Sequence, residues 1–372
     1  MRKSHATGAQ RHLLHVFPSF SVGGAQMRFV QLASAHAERY RHTIIALDGE
    51  NDMSKRVSHD LNVSYRAVPY DKAKGLLNLG MFRKIIFDVR PDVLVTYNWG
   101  SIEWVLANIA GPRVQHVHIE DGFGPEEASG QFRRRIWMRR MALSWRWTSV
   151  VLPSLKLFAI ARDVWRLPKA RLNYIPNGID SKRFFVDFHS RAGKTSPLVV
   201  GTLATLRKEK ALDRLIQAFG ALAGNAAEFN SALLIVGEGP VRSELSGLVD
   251  QMGLSSKVTF AGATSEPERW YPQMDIFALS SRTEQMPFSV LEAMAAGLPV
   301  VAFAVGDVPQ MVAAENAPYI VHSEVVQEFA QRLGELLHNA TLREEVGRAN
   351  QRKAQSEYDE SIMARRYAEL FG

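Results

Sequence analysis

The sequence predicts an α/β protein built from two doubly wound, Rossmann-like parallel-sheet domains, and three observations carry that reading. Short β-branched runs alternate with helical-period segments along the first half: HLLHVF (12–17), HTIIAL (42–47), DVLVT (92–96), RVQHV (113–117) and SVVLP (149–153). Strand alternating with helix means a parallel sheet with right-handed crossovers. After the polar stretch DFHSRAGKTSP (187–197) the rhythm restarts with PLVVGTL, SALLIVG (231–237), KVTFAG (257–262), DIFALS (275–280) and LPVVAF (298–303). The length of 372 residues also exceeds one ordinary core and suits two domains. Domains of this kind, joined near 177–197, are expected to face each other across a cleft with the carboxyl ends of their strands, where such sheets bind ligands.

Composition narrows the function classes. The chain has no cysteine, which excludes a disulfide scaffold, a thiolate zinc site and a cysteine nucleophile, and suits a reducing compartment. No apolar run reaches the roughly 18 to 20 residues of a membrane span, and MRKSHATGAQRH lacks the apolar core of a signal peptide. A cytoplasmic location is the expectation. Charge is unevenly placed: residues 1–180 carry 26 Lys+Arg against 15 Asp+Glu, whereas 181–372 carry 19 against 23. The first half is expected to meet something anionic. No recognised nucleic-acid fold accompanies the charge, so nucleic acid is not an expected partner. From Glu324 onward the chain reads as helices, and Ile362, Met363, Tyr367 and Leu370 share one face of the last of them.

The densest chemistry lies in SSRTEQMPFSVLEAMAAGLPVVAF (280–303), a loop after a strand that turns into an alanine-rich helix closed by Gly297 and Pro299. With a helix starting near Phe288, Glu284 stands in the loop and Glu292 about one turn inside. The amides of Phe288, Ser289 and Val290 then lie free between the two carboxylates. Those amides and the positive helix end suit a diphosphate, and since a carboxylate accepts from two hydroxyls at once, one glutamate suits a sugar ring and the other a ribose diol. This pattern outlines a nucleotide-sugar site, although any one of these glutamates, taken alone, reads as solvated.

EQMPFSVLEAMAAGLPVV resembles the glutamate-pair motif of glycosyltransferase family 4, retaining enzymes of the GT-B fold. SVGGAQMRFVQLA (21–33) is similar to the family's N-terminal glycine loop, YIPNGIDSKRF (174–184) to its interdomain linker, and LLIVGEGPVRSEL (233–245) with VTFAG (258–262) to its second nucleotide-binding half. The segments span the chain in the family's order. The resemblance implies an acceptor-binding domain over 1–180, with the last helix, 358–372, packing back on it, and a donor-binding domain over 181–357. It implies a retaining glycosyltransferase moving a sugar from a nucleotide-diphosphate sugar to an acceptor hydroxyl, with no cofactor and no essential metal.

Site residues follow from the same resemblance. Gly23 and Gly24 let backbone approach the donor, Gly237 belongs to the donor half, and Lys210 stands where the family has its phosphate-binding lysine. Catalytic roles fall to His118, Lys210 and Glu284. His116 is the alternative to His118 in strand register. Two departures stand out: the family's arginine falls at Thr205, and its glycine after the lysine is Ala211. Arg207 is a candidate replacement for that arginine. Gln285 stands where a glycine is common and bears on how the sugar is read.

On the acceptor side, Asn98 and Trp99 follow one strand and Glu120 and Asp121 follow another. Each has a structural reading as well, Trp99 as core and the two acids as helix caps. QFRRRIWMRRMALSWRW (131–147) holds six arginines, three tryptophans and no acid. It reads equally as a surface helix or as a face for anionic membrane near a lipid-linked acceptor. Two other functions share the architecture: a nucleotide-sugar epimerase, and a non-catalytic donor-binding or membrane scaffold protein.

Overall fold

The computed structural model describes residues 10–123, 127, 130–187, 197–223 and 230–372. The first nine residues and most of the polar stretch taken as the domain boundary, 188–196, lie outside them. The chain divides into two compact units, Met1–Pro176 with Ser361–Gly372, and Asn177–Glu360.

The first unit alternates β1 (Arg11–Phe17), α1 (Gly24–Ala35), β2 (Tyr40–Ala46), β3 (Val63–Tyr65), α2 (Leu79–Val89), β4 (Val93–Tyr97), α3 (Ile102–Ile109), β5 (Gln115–Ile119), α4 (Arg133–Leu143), β6 (Thr148–Leu152), α5 (Leu155–Asp163) and β7 (Leu172–Tyr174). Its seven strands pair in parallel in the order β3-β2-β1-β4-β5-β6-β7. Both sheet faces are covered by helices, so VLVTY of β4 is buried at every position.

The second unit runs β8 (Leu198–Leu203), α6 (Leu212–Ala223), β9 (Ser231–Val236), α7 (Arg242–Gln251), β10 (Val258–Gly262), β11 (Ile276–Leu279), α8 (Phe288–Ala295), β12 (Val300–Phe303), α9 (Val308–Met311), β13 (Ile320–Val321), α10 (Val326–His338) and α11 (Ala340–Glu357). Its six parallel strands are ordered β10-β9-β8-β11-β12-β13. In α10, Phe329, Ala330, Leu333, Leu336 and Leu337 recur at helical spacing and enter the core with Leu215, Phe219 and Phe303.

The last helix, α12 (Glu360–Phe371), buries Met363, Ala364, Tyr367 and Phe371 in the core of the first unit, beside Leu13, Phe17 and Phe29. Every strand named from the sequence is present to within a residue or two. Three short edge or near-edge strands, β3, β7 and β13, escaped that reading because two or three residues carry no periodicity.

Each sheet reverses its strand order once, between β1 and β4 in the first unit and between β8 and β11 in the second. At such a point the loops after the two strands diverge to opposite faces and leave a crevice at the carboxyl ends. The candidate residues gather at these two places.

Candidate functional site

In the second unit the reversal brings Lys210, after β8, against Glu284, after β11. Lys210 Nζ lies 2.6 Å from Glu284 Oε1, with Lys210 25% and Glu284 11% exposed. Ser281 Oγ donates to the same carboxylate oxygen at 2.8 Å, and Ser280 Oγ donates to the Lys210 carbonyl at 3.1 Å. Seventy-four positions apart in sequence, the two charges are fixed by the ends of neighbouring parallel strands.

The Glu284 loop is clasped from two sides. Gly306 has φ +57°, and a Cβ there would sit 2.4 Å from the Glu284 carbonyl oxygen and 2.5 Å from that of Gln285. Only glycine fits such a position. The Asp307 amide donates to the Gln285 carbonyl at 2.8 Å, and Asn177 Nδ2 to the Met286 carbonyl at 2.9 Å. Asp307, Gly306 and Asn177 therefore hold the loop, although the sequence reading gave none of them a role. A glycine directly after a strand in AVGDVP was the available signal.

Pro287 enters α8 with extended backbone. The Val290 amide donates to the Pro287 carbonyl at 3.2 Å and closes the first turn. The expectation of three free amides is corrected on this point: Val290 is committed within the helix and its side chain is fully buried. Of the three, the amides of Phe288 and Ser289 have no backbone acceptor among the described residues.

Glu292 lies one turn along and accepts from the Tyr271 hydroxyl. Burial pushes its carboxyl up to about 7, against the opposing pull of the Tyr271 hydrogen bond and of Arg183. Tyr271 is a second partner that sequence reasoning missed, because nothing in its own segment marks it.

The departures at Thr205 and Ala211 also find places. Ala211 is buried and adopts left-handed backbone, φ +46° and ψ +45°, so an alanine holds the conformation that favours the family's glycine. Thr205 is exposed, and its carbonyl accepts from the Arg207 amide at 2.9 Å. Arg207 lines a pocket of about 330 Å³ with Lys208, Asp213, Glu244 and Arg282, whose lining includes neither Lys210 nor Glu284. Gly237, at φ +141°, packs so tightly that a Cβ would meet the Ala204 carbonyl oxygen at 1.9 Å, and its amide donates to Gly262 at 2.8 Å. Close packing of the loops after β8 and β9 accounts for this glycine.

In the first unit, Gly23 caps α1 with extended backbone that any residue adopts, and Gly24 opens the helix at the surface. At the sheet's reversal a cavity of about 820 Å³ is lined by Pro18, Tyr70, Asn98, Trp99, Asp121 and Arg135 among others. Asn98 takes positive φ, +54°, and its Oδ1 accepts from the Asp121 amide at 2.7 Å, so the ends of β4 and β5 are tied together. Trp99 is partly buried, with the guanidinium carbons of Arg135 and Arg139 5.1 and 4.9 Å from its ring centroid.

His118 is 0% exposed. Its Nδ1 meets Thr96 Oγ1 at 2.8 Å and its Nε2 meets Glu120 Oε2 at 3.4 Å. His116 is buried as well, between Thr96 and Thr148, and burial holds its ring well below the ordinary pKa of histidine. β5 turns the His118 ring into the buried interior of this unit, where Thr96 and Glu120 are its partners. The carboxylates lining the cavity are those of Asp121 and Glu103. Burial raises the Asp121 carboxyl, opposed by its ion pair with Arg28 of α1.

Glu120 is enclosed too, with Oε1 unpartnered and Oε2 3.6 Å from Arg139 Nε. Arg139, on α4, is fully buried, donates to both Glu127 oxygens at 3.3 and 3.0 Å, and lies against Trp99, Phe123 and Trp165. Burial alone would raise the Glu127 carboxyl, but Arg139 and Arg135 outweigh it and hold it low. Arg139, Ala142 and Leu143 form the buried stripe of α4, and that spacing was the signal in the sequence. Among the described residues, no helix is long and apolar enough to cross a membrane.

Comparison with known proteins now bears on this geometry. The glycosyltransferase family 4 model matches residues 22–183, and the glycosyl transferases group 1 model matches 197–339. The chain thus carries, in order, matches to two glycosyltransferase domain models, each over less than half of its length, on a GT-B fold. The chain is similar to a GDP-mannose-dependent α-(1-6)-phosphatidylinositol monomannoside mannosyltransferase of Mycobacterium tuberculosis, 32% identical over 46% of this chain and 48% of the relative. It is also similar to the O-antigen biosynthesis glycosyltransferase WclY of Escherichia coli, 29% identical over 42% of this chain and 45% of the relative. The chain thus spans about half the length of these curated relatives. In fold it is similar to Anabaena Alr3699/HepE, crystallised in complex with UDP, with a TM-score of 0.81, 18% identity, and coverage of 97% of this chain and 99% of that one.

Proposed function

We propose that this protein is a glycosyltransferase that moves a sugar from a nucleotide-diphosphate sugar to a hydroxyl of a lipid-linked or polysaccharide precursor, with retention at the anomeric carbon and without an essential metal. The observation that carries the reading is the Lys210–Glu284 pair at 2.6 Å on the sheet's reversal point, beside the open first turn of α8. A diphosphate arriving at Phe288 and Ser289 competes for Lys210, and the release of Lys210 frees Glu284 to accept from hydroxyls of the transferred sugar. The donor thus exchanges an internal ion pair for two contacts of its own. Glu292, held by Tyr271, takes the ribose diol.

In the transfer step the anomeric carbon loses its bond to the departing phosphate oxygen and gains one to the acceptor oxygen on the same face. The acceptor's proton passes to the leaving phosphate. Negative charge grows on the diphosphate as that bond breaks, so Lys210 and the helix end stabilise the transition state more than the ground state. The acceptor is assigned to the cavity that Asn98, Trp99 and Asp121 line, where an indole face and a carboxylate suit a polyol. The names of the mannosyltransferase and of WclY support a lipid-linked or polysaccharide acceptor, and the UDP complex of Alr3699/HepE supports a nucleotide donor.

The test is product analysis with labelled nucleotide sugars, bacterial lipid extract and a chelator. Transfer should occur only with extract present, survive the chelator and keep the donor's anomeric configuration. Isomerisation of the donor sugar without acceptor would make the protein an epimerase, and binding without turnover would make it a scaffold.

A further inference from the structure

At the amino ends of β5 and β6, away from the strand ends that carry Asn98 and Asp121, lies a pocket of about 340 Å³ lined by Arg113, Trp145, Arg146 and Trp147. Its lining contains no acid. The two indoles stand 5.6 Å apart at 58°, and both guanidiniums lie against the same ring, Arg146 at 4.3 Å and Arg113 at 5.9 Å from the Trp147 centroid. Neither arginine has an ion-pair partner among the described residues. The Trp145 indole N–H is buried and has no acceptor. Two like charges gathered on one ring, with a buried donor beside them, make a site that an anion completes. Two guanidiniums match the oxygens of a phosphate best.

The surface around the pocket says where that phosphate comes from. The segment that ends at Trp147 begins with α4, whose solvent face carries Trp137 at 60% and Met141 at 56% exposure, one turn apart, with Arg133 and Arg140 exposed beside them. Large apolar side chains among exposed arginines suit the boundary between phospholipid headgroups and acyl chains. A free phosphate in water gives Trp137 and Met141 nothing to enter.

We propose that Arg113, Trp145, Arg146 and Trp147 form a phosphate-binding site for the headgroup of an anionic membrane phospholipid, with Trp137 and Met141 seated in the same membrane surface. The site does not depend on the donor or acceptor assignments above. It lies about the length of a five-residue strand, roughly 16 Å, from the candidate acceptor cavity.

The test is sedimentation of the full chain with vesicles of phosphatidylcholine alone and with vesicles of two parts phosphatidylcholine to one part phosphatidylglycerol. Wild type should bind the mixed vesicles and not the neutral ones. Arg113→Ala/Arg146→Ala should weaken that binding about tenfold or more, since each basic residue near an anionic surface contributes on this scale. Lys156→Ala/Lys169→Ala removes the same charge from exposed positions elsewhere and should change binding less than about twofold. Equal loss in the two double variants would overturn the site and leave only general attraction to charge. A melting temperature raised by inorganic phosphate in wild type alone, with no vesicle binding, would overturn the lipid assignment. Thermal unfolding of each variant checks that it is folded.

Discussion

The two units solve one problem, presenting polar groups at the reversal point of a parallel sheet, in opposite ways. In the second unit the working groups stand on loop backbone and a helix start. Lys210 and Glu284 stay partly exposed, and glycine at 306 sets the loop by leaving no room for a side chain. In the first unit the polar groups are drawn inside. His118, Glu120 and Arg139 have no exposed surface, and what faces the cavity, Asp121 and Trp99, is positioned from behind by Arg28 and Arg139. On the proposed reading the first arrangement exchanges partners when a ligand arrives, whereas the second is a polar core in which each charge depends on its neighbour.

The sharpest way to break the comparison is Arg139→Met. The substitution preserves bulk but leaves Glu120 and Glu127 without their buried cation, and should destabilise the protein by about 3–5 kcal/mol. A Lys210→Met exchange removes an equally conspicuous cation from the partly exposed pair, where water still reaches Glu284, and should cost less, about 1 kcal/mol in stability. Chemical denaturation of the two variants checks the contrast, and equal losses would erase the distinction between the units.

Titration separates Glu292 of the second unit from the buried histidines of the first by sign. Glu292 is raised to about 7 in the folded chain from the ordinary 4.5, so the folded state binds the extra proton between those values. Its contribution to stability is present below about pH 4.5 and is lost as pH rises through 7. The buried histidines act the other way. His42 is lowered to about 4 from 6.5, by burial first and by His12 second, and His15, hydrogen-bonded to it at 3.0 Å, is also held well below its ordinary value by burial. Their contribution is present above about pH 6.5 and is lost as pH falls toward 4. Glu292→Gln should therefore flatten the alkaline side, stabilising the protein by roughly 2 kcal/mol at pH 8 and little at pH 5. His42→Gln should flatten only the acid side. Melting curves across pH 5–8 read both, and a Glu292→Gln gain at pH 5 would reverse the assignment.

The smallest effect concerns Ala211. Glycine at a left-handed position relieves the clash an alanine carries there but gives the unfolded chain more freedom, so Ala211→Gly should stabilise by at most about 1 kcal/mol. A loss of stability measured by denaturation would show that the alanine methyl, packed in the core, outweighs its backbone.

The same contrast explains what could be read beforehand. The second unit's candidate site was legible because its parts are local: a strand, a loop with Glu284, and a helix start with Glu292 within two dozen residues. The rhythm of strands was legible too, since both faces of a parallel sheet are covered and the apolar runs are continuous. The first unit's network joins Arg28 to Asp121 and Arg139 to Glu120, pairs that no spacing rule connects. His118 looked like an accessible histidine at a strand end, yet the direction a strand side chain takes depends on register, which one sequence leaves open. Gly306 and Asn177 were visible as letters, but their task of clasping a loop exists only once β11 and β12 lie side by side.

The central claim is that a diphosphate takes Lys210 from Glu284. Calorimetric titration with UDP and with GDP tests it most directly, on wild type, Lys210→Ala and Glu284→Gln. One nucleotide should bind wild type, bind Lys210→Ala at least about tenfold more weakly, and bind Glu284→Gln as tightly or more tightly because the lysine is already free. Equal affinity in wild type and Lys210→Ala would contradict the account.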